Sequence, residues 1–294
     1  MEAYQEYIDK AAVLIEALDY FQTFRDAVVV VKFGGSAMED EQTTINTLRD
    51  IVFMECVGMK PVVVHGGGKA ISAKLKTMGI ETRFVNGLRY TCEDTIHVVD
   101  DVLHNDINAK LVDSMKQHGG KPRTLSGKTF IGAERMTSSD KNSGSEIDLG
   151  FVGEATSIDT TQINEIIAAG EVPVITPLGT GEDGKPYNIN ADIAACRIAQ
   201  ALKARKLVFL SDVPGLLRDP KDESSLIRSV HVDEVDQLIT DGVISGGMVP
   251  KINSAVAALK AGTNKVHLID ARLQHSLLLE IFTISGVGTQ IIKG

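Results

Sequence analysis

A chain of 294 residues that is 43% hydrophobic and 23% charged has the balance of a globular protein with room for a normal core. Its net charge of −9 argues against nucleic acid as a partner, because such binders carry a basic face. Three scattered cysteines fit a reducing, cytoplasmic setting without a disulfide or zinc framework, and no apolar run approaches the ~18 residues that cross a bilayer.

In chain order, the first predicted element is an amphipathic helix over residues 1–25. Tyr4, Tyr7, Ala11, Leu14, Leu18 and Phe21 step by three and four along it. That stripe either packs on its own domain or serves as a partner helix in an oligomer. Nothing in this acidic start, MEAYQEYIDK, has the basic and apolar parts of a signal peptide. Two similar stretches follow, VVVVKFGGS at 28–36 and PVVVHGGGK at 61–69, each an apolar run that meets a basic side chain and then glycines. Further apolar runs lie at 172–175, 207–210 and 266–269. Continuous rather than alternating apolar residues predict strands buried on both faces of a parallel sheet.

Helices are predicted between these runs. Residues 93–117 carry Ile96, Val99, Leu103, Ile107, Leu111 and Met115 on one face, with Thr91 and Asp94 spaced as a capping box. Residues 191–204 and 250–261 are also helical, the latter with Pro250 near its first turn. Residues 120–160, rich in Gly, Ser and Lys, are expected to form hairpins and loops added to the sheet. Strands alternating with helices give an open α/β sheet covered on both faces.

In such sheets ligands bind at the carboxyl ends of the strands. Glycines there let backbone N–H groups approach an oxyanion, and the next helix adds the positive end of its dipole. Gly34-Gly35 and Gly66-Gly67-Gly68 thus read as two anion cradles, or else as two tight turns, and Lys32 beside the first favours the cradles. Two other glycine clusters carry no weight. Gly127-Lys128-Thr129 has Pro122 where a Walker loop needs glycine, and Gly179–Gly184 is followed by no helix, so a hairpin turn is expected. YNINAD, 187–192, places Asn188, Asn190 and Asp192 on one side of an extended segment, or supplies an N-cap for the next helix. VFLSDVPGLL, 208–217, runs a strand into a polar turn. GGMVPK, 246–251, sets Lys251 in a first helical turn, a position that suits a bound polyanion better than a bare lysine.

VVVVKFGGSAM, VVVHGGGKAI, FVNGLRYT, GFVGEA, YNINADIAA, FLSDVPGLL and GGMVPKI, in this order over residues 25–294, closely resemble the acetylglutamate kinases of the amino acid kinase family. The resemblance implies a three-layer αβα sandwich with an open, mainly parallel central sheet. It places an oligomerisation helix at 1–24, an acyl-substrate lobe at 25–203 and an ATP lobe at 204–294. By the same resemblance Lys32 and Lys251 clamp the transferring phosphoryl group and Asp192 orients them. Gly67, Gly68, Arg89 and Asn188 hold N-acetyl-L-glutamate. Gly34, Gly35, Ser211, Asp212, Gly215, Leu216, Leu217, Val243 and Ser245 meet the nucleotide. ATP is the phosphoryl donor, with Mg²⁺ bound through its phosphates and no metal site of the protein's own.

That assignment is physically consistent. A carboxylate acceptor is already ionised at neutral pH, so the obstacle is anion repulsion, which lysines and amide N–H groups address. Arg89 suits a carboxylate because its planar fork binds two oxygens. No Ser-His-Asp or Cys-His pattern is present, so His65 is expected to be a packed residue. The resemblance further implies an arginine-sensitive homohexamer, a trimer of dimers. VHLIDARLQHSLLLEIFTISGVGT, 266–289, matches the regulatory signature, with His267, Glu280, Gly286 and Gly288 around an L-arginine site. Ala271 and Lys69 stand where glycine and proline are common in the family. A PII-type signalling protein is a further candidate partner. The competing readings are a kinase for acetylaminoadipate or carrier-linked aminoadipate, and a non-catalytic amino-acid sensor on the same fold.

Overall fold

Val29, Val30 and Val31 have no exposed surface, and neither do Val62, Val63 and Val64 on the next strand. Successive side chains of a strand point to opposite faces. Val30 accordingly joins one core cluster while Val29 and Val31 join the other, so the sheet lies between two apolar layers. This is why the runs read as unbroken valine rather than as alternation. The computed structural model describes residues 4–139, 145–283 and 285–293; the first three residues of the predicted N-terminal helix, and Ile284 within the 266–289 signature, lie outside them.

Eight strands form the central sheet, in the spatial order Ser229–His231, Thr289–Ile292, Lys265–Asp270, Lys206–Ser211, Val28–Phe33, Lys60–His65, Val172–Thr176, Pro122–Ser126. Neighbours run parallel except where Thr289–Ile292 pairs antiparallel with Lys265–Asp270. All five apolar runs are strands of this sheet. Helices pack on both sides, and the fold is the open, mainly parallel α/β sandwich expected from the sequence.

The region 120–160 differs in part from its expectation. Pro122–Ser126 is not an added hairpin but the edge strand of the main sheet, where proline at the start forfeits no needed donor. The long strands Ile131–Ser139 and Glu146–Ile158 do pair as a hairpin, and they close a four-stranded barrel with Leu178–Thr180 and Pro186–Ile189. Residues 181–185 form the turn of the latter pair, as predicted.

The helix over 93–117 contains a π-helical segment, Val102–Asn108, between Glu93–Asp101 and Ala109–Gln117. Its six predicted core residues are all buried. The capping box does not form, because Cys92 is the N-cap and the Thr91 hydroxyl donates instead to the Arg89 carbonyl at 2.9 Å. At the N-terminus, Gln5–Glu16 buries no residue, so the first part of the stripe lies bare on this chain. The following helix, Leu18–Phe24, does dock: Tyr20 and Phe21 pack edge-on against Phe282. Among the described residues no helix is long and apolar enough to cross a membrane.

Candidate active site

Strands Val28–Phe33 and Lys60–His65 end side by side, and each turns at glycine. The Gly66 N–H donates to the Phe33 carbonyl at 2.8 Å. A Cβ on Gly34 would stand 3.1 Å from Gly66 N and 3.3 Å from Lys32 Nζ, so the close approach of the two turns leaves little room for a side chain. Between them opens a cleft of about 220 Å³ lined by Lys32, Gly67, Gly68, Arg89, Asn188 and Asp192.

Asp192 ties the charges together. Its Oδ1 lies 2.9 Å from Lys32 Nζ and its Oδ2 3.4 Å from Lys251 Nζ. Lys32 comes from the end of a strand and Lys251 from the first turn of helix Met248–Lys260, so two distant segments meet on one carboxylate. Burial disfavours ionised Asp192, but the two ammonium groups outweigh it and hold the carboxyl below its usual range. Burial also lowers the Lys251 pKa, against the pull of Asp192. Lys251 further lies 5.3 Å from the ring centre of Phe209, which pairs with Lys32 across the sheet. Two cations against one anion leave the cleft with a surplus of positive charge.

Asn190 resolves the two readings of YNINAD in favour of both. Its side chain accepts from the N–H of Asp192 and Ile193 and caps helix Ala191–Ala201, while Asn188 and Asp192 face the cleft. Asn188 Nδ2 donates to Thr91 Oγ1 at 3.3 Å.

Arg89 is 7% exposed, a strong commitment for a guanidinium, and burial lowers its pKa. Its Nη2 donates to the Gly68 carbonyl and to Ser72 Oγ, both at 2.7 Å, and its face lies 4.8 Å from the Phe84 ring centre. Nη1 is buried with no partner among the described residues, an orphan donor at the cleft that a carboxylate oxygen would satisfy. Ser72 and Phe84 escaped the sequence reading, and Thr91 entered it only as a helix cap. The signal for Phe84 was Asn86-Gly87, whose positive φ values of 49° and 83° turn the two-stranded ribbon Phe84–Val85/Leu88–Arg89.

Of the residues expected around the nucleotide, Gly35 borders the cleft. Ser211 ends its strand and Asp212 is exposed, close enough to Lys251 to favour its charged form. Val243 is half-buried and Ser245 exposed in the turn before helix Met248–Lys260, and Leu217 is half-buried. Leu216 is 2% exposed in the core, its N–H donates to Thr289 Oγ1 and its carbonyl accepts from Ile227. Gly215, with φ of 148°, turns the chain into that position.

A second cavity, about 560 Å³, opens at the other end of the sheet, and His267, Glu280, Gly286 and Gly288 all line it. His267 Nδ1 lies 2.6 Å from Glu280 Oε1, while Oε2 accepts from the N–H of Val287 and Gly288 at 2.8 and 3.2 Å. Burial raises the cost of charge on Glu280, yet His267 and these amides hold it below its ordinary pKa. Burial pushes His267 down. Tyr20 and Phe24 of the N-terminal segment close one side. Lys206, not anticipated from sequence, is 9% exposed there, and burial lowers its pKa to about 8.

The sequence profile of the amino acid kinase family matches residues 27–270, and the chain belongs to that family. Over nearly its full length it is also similar to proteins named acetylglutamate kinase. It is 46% identical to that of Heliobacterium modesticaldum, with 97% of this chain and 99% of the relative covered. For that of Akkermansia muciniphila the figures are 47%, 97% and 96%. Among solved structures, the N-acetylglutamate synthase of Neisseria gonorrhoeae with coenzyme A and L-arginine has a TM-score of 0.79 at 25% identity. That match covers 97% of this chain, which spans 65% of the synthase's length. The carbamate kinase of Giardia lamblia bound to AMP-PNP shares the fold, with a TM-score of 0.65 at 18% identity over 91% of this chain and 99% of that one.

Proposed function

We infer that the protein is an ATP-dependent kinase that phosphorylates the side-chain carboxylate of N-acetyl-L-glutamate, giving N-acetyl-L-glutamyl 5-phosphate, the second step of arginine biosynthesis. One observation carries the reading: Lys32 and Lys251, from segments far apart in sequence, converge on Asp192 beside the glycine turn. In this reading the carboxylate of the substrate lies against the Gly67 and Gly68 N–H groups. Arg89 Nη1 and Asn188 hold its α-carboxylate and acetylamino end. The acceptor oxygen attacks the γ-phosphorus, and the bond to the β,γ-bridging oxygen breaks. Lys32 and Lys251 meet the charge of the transferring group from two sides, and Asp192 keeps both ammonium groups in place. No proton has to be removed from the acceptor, which agrees with a cleft that holds no histidine among the residues lining it.

Mg²⁺ fits as a companion of the nucleotide. The cleft's one carboxylate, Asp192, is already shared by two lysines, and no group of three acidic, His or Cys side chains among the described residues could hold a metal. The ion supplies charge neutralisation on the phosphates, while Asp212, Ser211 and the turn at 243–245 would border the nucleotide.

The second cavity supports L-arginine as a feedback inhibitor. Glu280 offers a buried carboxylate for a guanidinium, and the N. gonorrhoeae synthase of the same fold was solved with L-arginine. The bare apolar side chains of Gln5–Glu16, with Ile8 52% and Leu14 63% exposed, favour a second copy as its partner, while the homohexamer rests on the family resemblance. A PII-type partner and a cytoplasmic location rest on the family resemblance. The reaction is tested by trapping acyl phosphate with hydroxylamine in the presence of ATP, Mg²⁺ and acetylglutamate, glutamate, aspartate or acetylaminoadipate in turn. Hydroxamate is expected with acetylglutamate; product with acetylaminoadipate instead, or with none of the four, would overturn the assignment.

A further inference from the structure

His65 lies directly behind the glycine turn, has no exposed surface and is not needed as a base. Its Nε2 lies 3.0 Å from the Asn108 side-chain amide, which also donates to the Val174 carbonyl at 2.9 Å. The Asn108 Oδ1 is occupied by the Thr124 hydroxyl, which donates at 2.7 Å, so the orientation of the amide is fixed by its neighbours. With Asn108 donating to Nε2, the proton of a neutral imidazole sits on Nδ1. Burial keeps the ring neutral by lowering its pKa to about 4. Nδ1 lies 3.1 Å from the Gly66 carbonyl and therefore donates to it.

That carbonyl shares a peptide unit with the Gly67 N–H. In a trans peptide the two point in opposite directions, and the described backbone contains no cis bond. Holding the carbonyl toward the buried histidine turns the N–H away from it, toward the cleft. Gly67 is the N-cap of helix Gly68–Thr77, so its neighbourhood already lacks intrahelical acceptors. The π-helical segment Val102–Asn108 serves this arrangement twice. Asn108 ends it, and a Cβ on Gly67 would stand 2.7 Å from Leu103 and 2.6 Å from Ile107. One packed element thus fixes both the place of the glycine and the direction of its amide.

We propose that His65, gripped by Asn108, is a positioning residue of the phosphoryl-transfer site, aiming the Gly67 N–H at the acceptor carboxylate through the Gly66–Gly67 peptide. The proposal rests on the kinase reading above. It explains why a buried histidine stands at the seam of strand and glycines without taking part in proton transfer. An amide donor already aimed needs no reorganisation as charge moves onto the acceptor, which is where preorganised donors act.

The test compares His65→Asn, whose amide can replace Nδ1–H on the Gly66 carbonyl, with His65→Gln, whose amide reaches the Nε2 position. Acyl-phosphate formation is measured with the full chain, MgATP and acetylglutamate. We expect kcat to fall about ten- to hundredfold in His65→Gln, with KM for ATP within about twofold, and to be restored to within about threefold of wild type in His65→Asn. Equal losses in both variants, or a loss that appears in KM for ATP, would overturn the proposal. Should the histidine variants not fold, Thr124→Val removes only the hydroxyl that orients Asn108. A drop of about threefold in its kcat at unchanged KM for ATP is expected, and a wild-type kcat would overturn the proposal. A wild type that makes no acyl phosphate at all defeats the kinase reading instead, so the two failures are separable.

Discussion

Strand Lys206–Ser211 joins two charged sites that use burial in opposite ways. At its carboxyl end lies the cleft, where one carboxylate, Asp192, is shared by Lys32 and Lys251 and positive charge is left over. Near its amino end lies the second cavity, where Glu280 is satisfied by His267 and two backbone amides, and Lys206 is left with a lowered pKa of about 8. The first arrangement keeps cations charged and unfilled, as an incoming polyanion needs. The second keeps one anion charged at the expense of a nearby lysine, in a lining that also carries Lys203, Arg205, Arg228 and Lys265. Six residues of strand, at ~3.3 Å each, separate the two, so each can be perturbed without the other.

The largest expected effect is at the cleft. Lys32→Ala or Lys251→Ala should lower kcat about a thousandfold, read by hydroxamate formation, with a melting temperature close to wild type. A second effect is on stability in acid. His65 has a pKa of about 4 in the folded chain, against an ordinary 6.5. Between these values the unfolded chain binds a proton that the folded chain does not, so stability present above pH 6.5 is lost as pH falls through 4. The loss amounts to about 3 kcal/mol, and denaturant melts of wild type and His65→Gln should differ by that much in the stability lost between pH 6.5 and 4.

At the second cavity the sign is the same and the window lies higher. Lys206 is protonated at pH 7 in a site that disfavours charge, a burden of roughly 3 kcal/mol that is relieved as pH rises from about 8 to 10.5. Lys206→Met should therefore raise the melting temperature at pH 7 and flatten the alkaline rise; a destabilised variant would show that its hydrogen bond to the Glu280 carbonyl outweighs burial. The smallest effect belongs to Arg89→Lys, which loses the fork but keeps the charge. KM for acetylglutamate should rise about tenfold while kcat changes less, as steady-state kinetics would show.

The two regions were unequally legible in sequence. The strands of the sheet announced themselves because burial on both faces leaves only apolar residues, and Lys32, Gly67 and Asp192 stood out against that background. The π-helical segment at 102–108 did not, since Leu103, Ile107 and Leu111 keep a spacing that an α-helix also satisfies. Thr91 looked like a cap because Asp94 follows three residues later, yet its hydroxyl is taken by the nearby Arg89 carbonyl and by the remote Asn188. The Gly, Ser and Lys of 120–160 suggested hairpins and loops, and only the pairing of Pro122–Ser126 with Val172–Thr176 made an edge strand of its start. Lys206 carried no signal at all, because its burial depends on Phe24 from the N-terminal helix, 5.3 Å from its Nζ to the ring centre. Local patterns revealed what one element dictates; what two remote elements decide together was hidden.

The most direct test of the cleft as a single phosphoryl-clamping unit is a double-mutant cycle on acyl-phosphate formation with Lys32→Ala, Lys251→Ala and the two combined. Because both ammonium groups are held by one carboxylate and act on one transferring group, the double variant should lose little more than either single variant. Losses that multiply, or single variants that turn over near the wild-type rate, would contradict it.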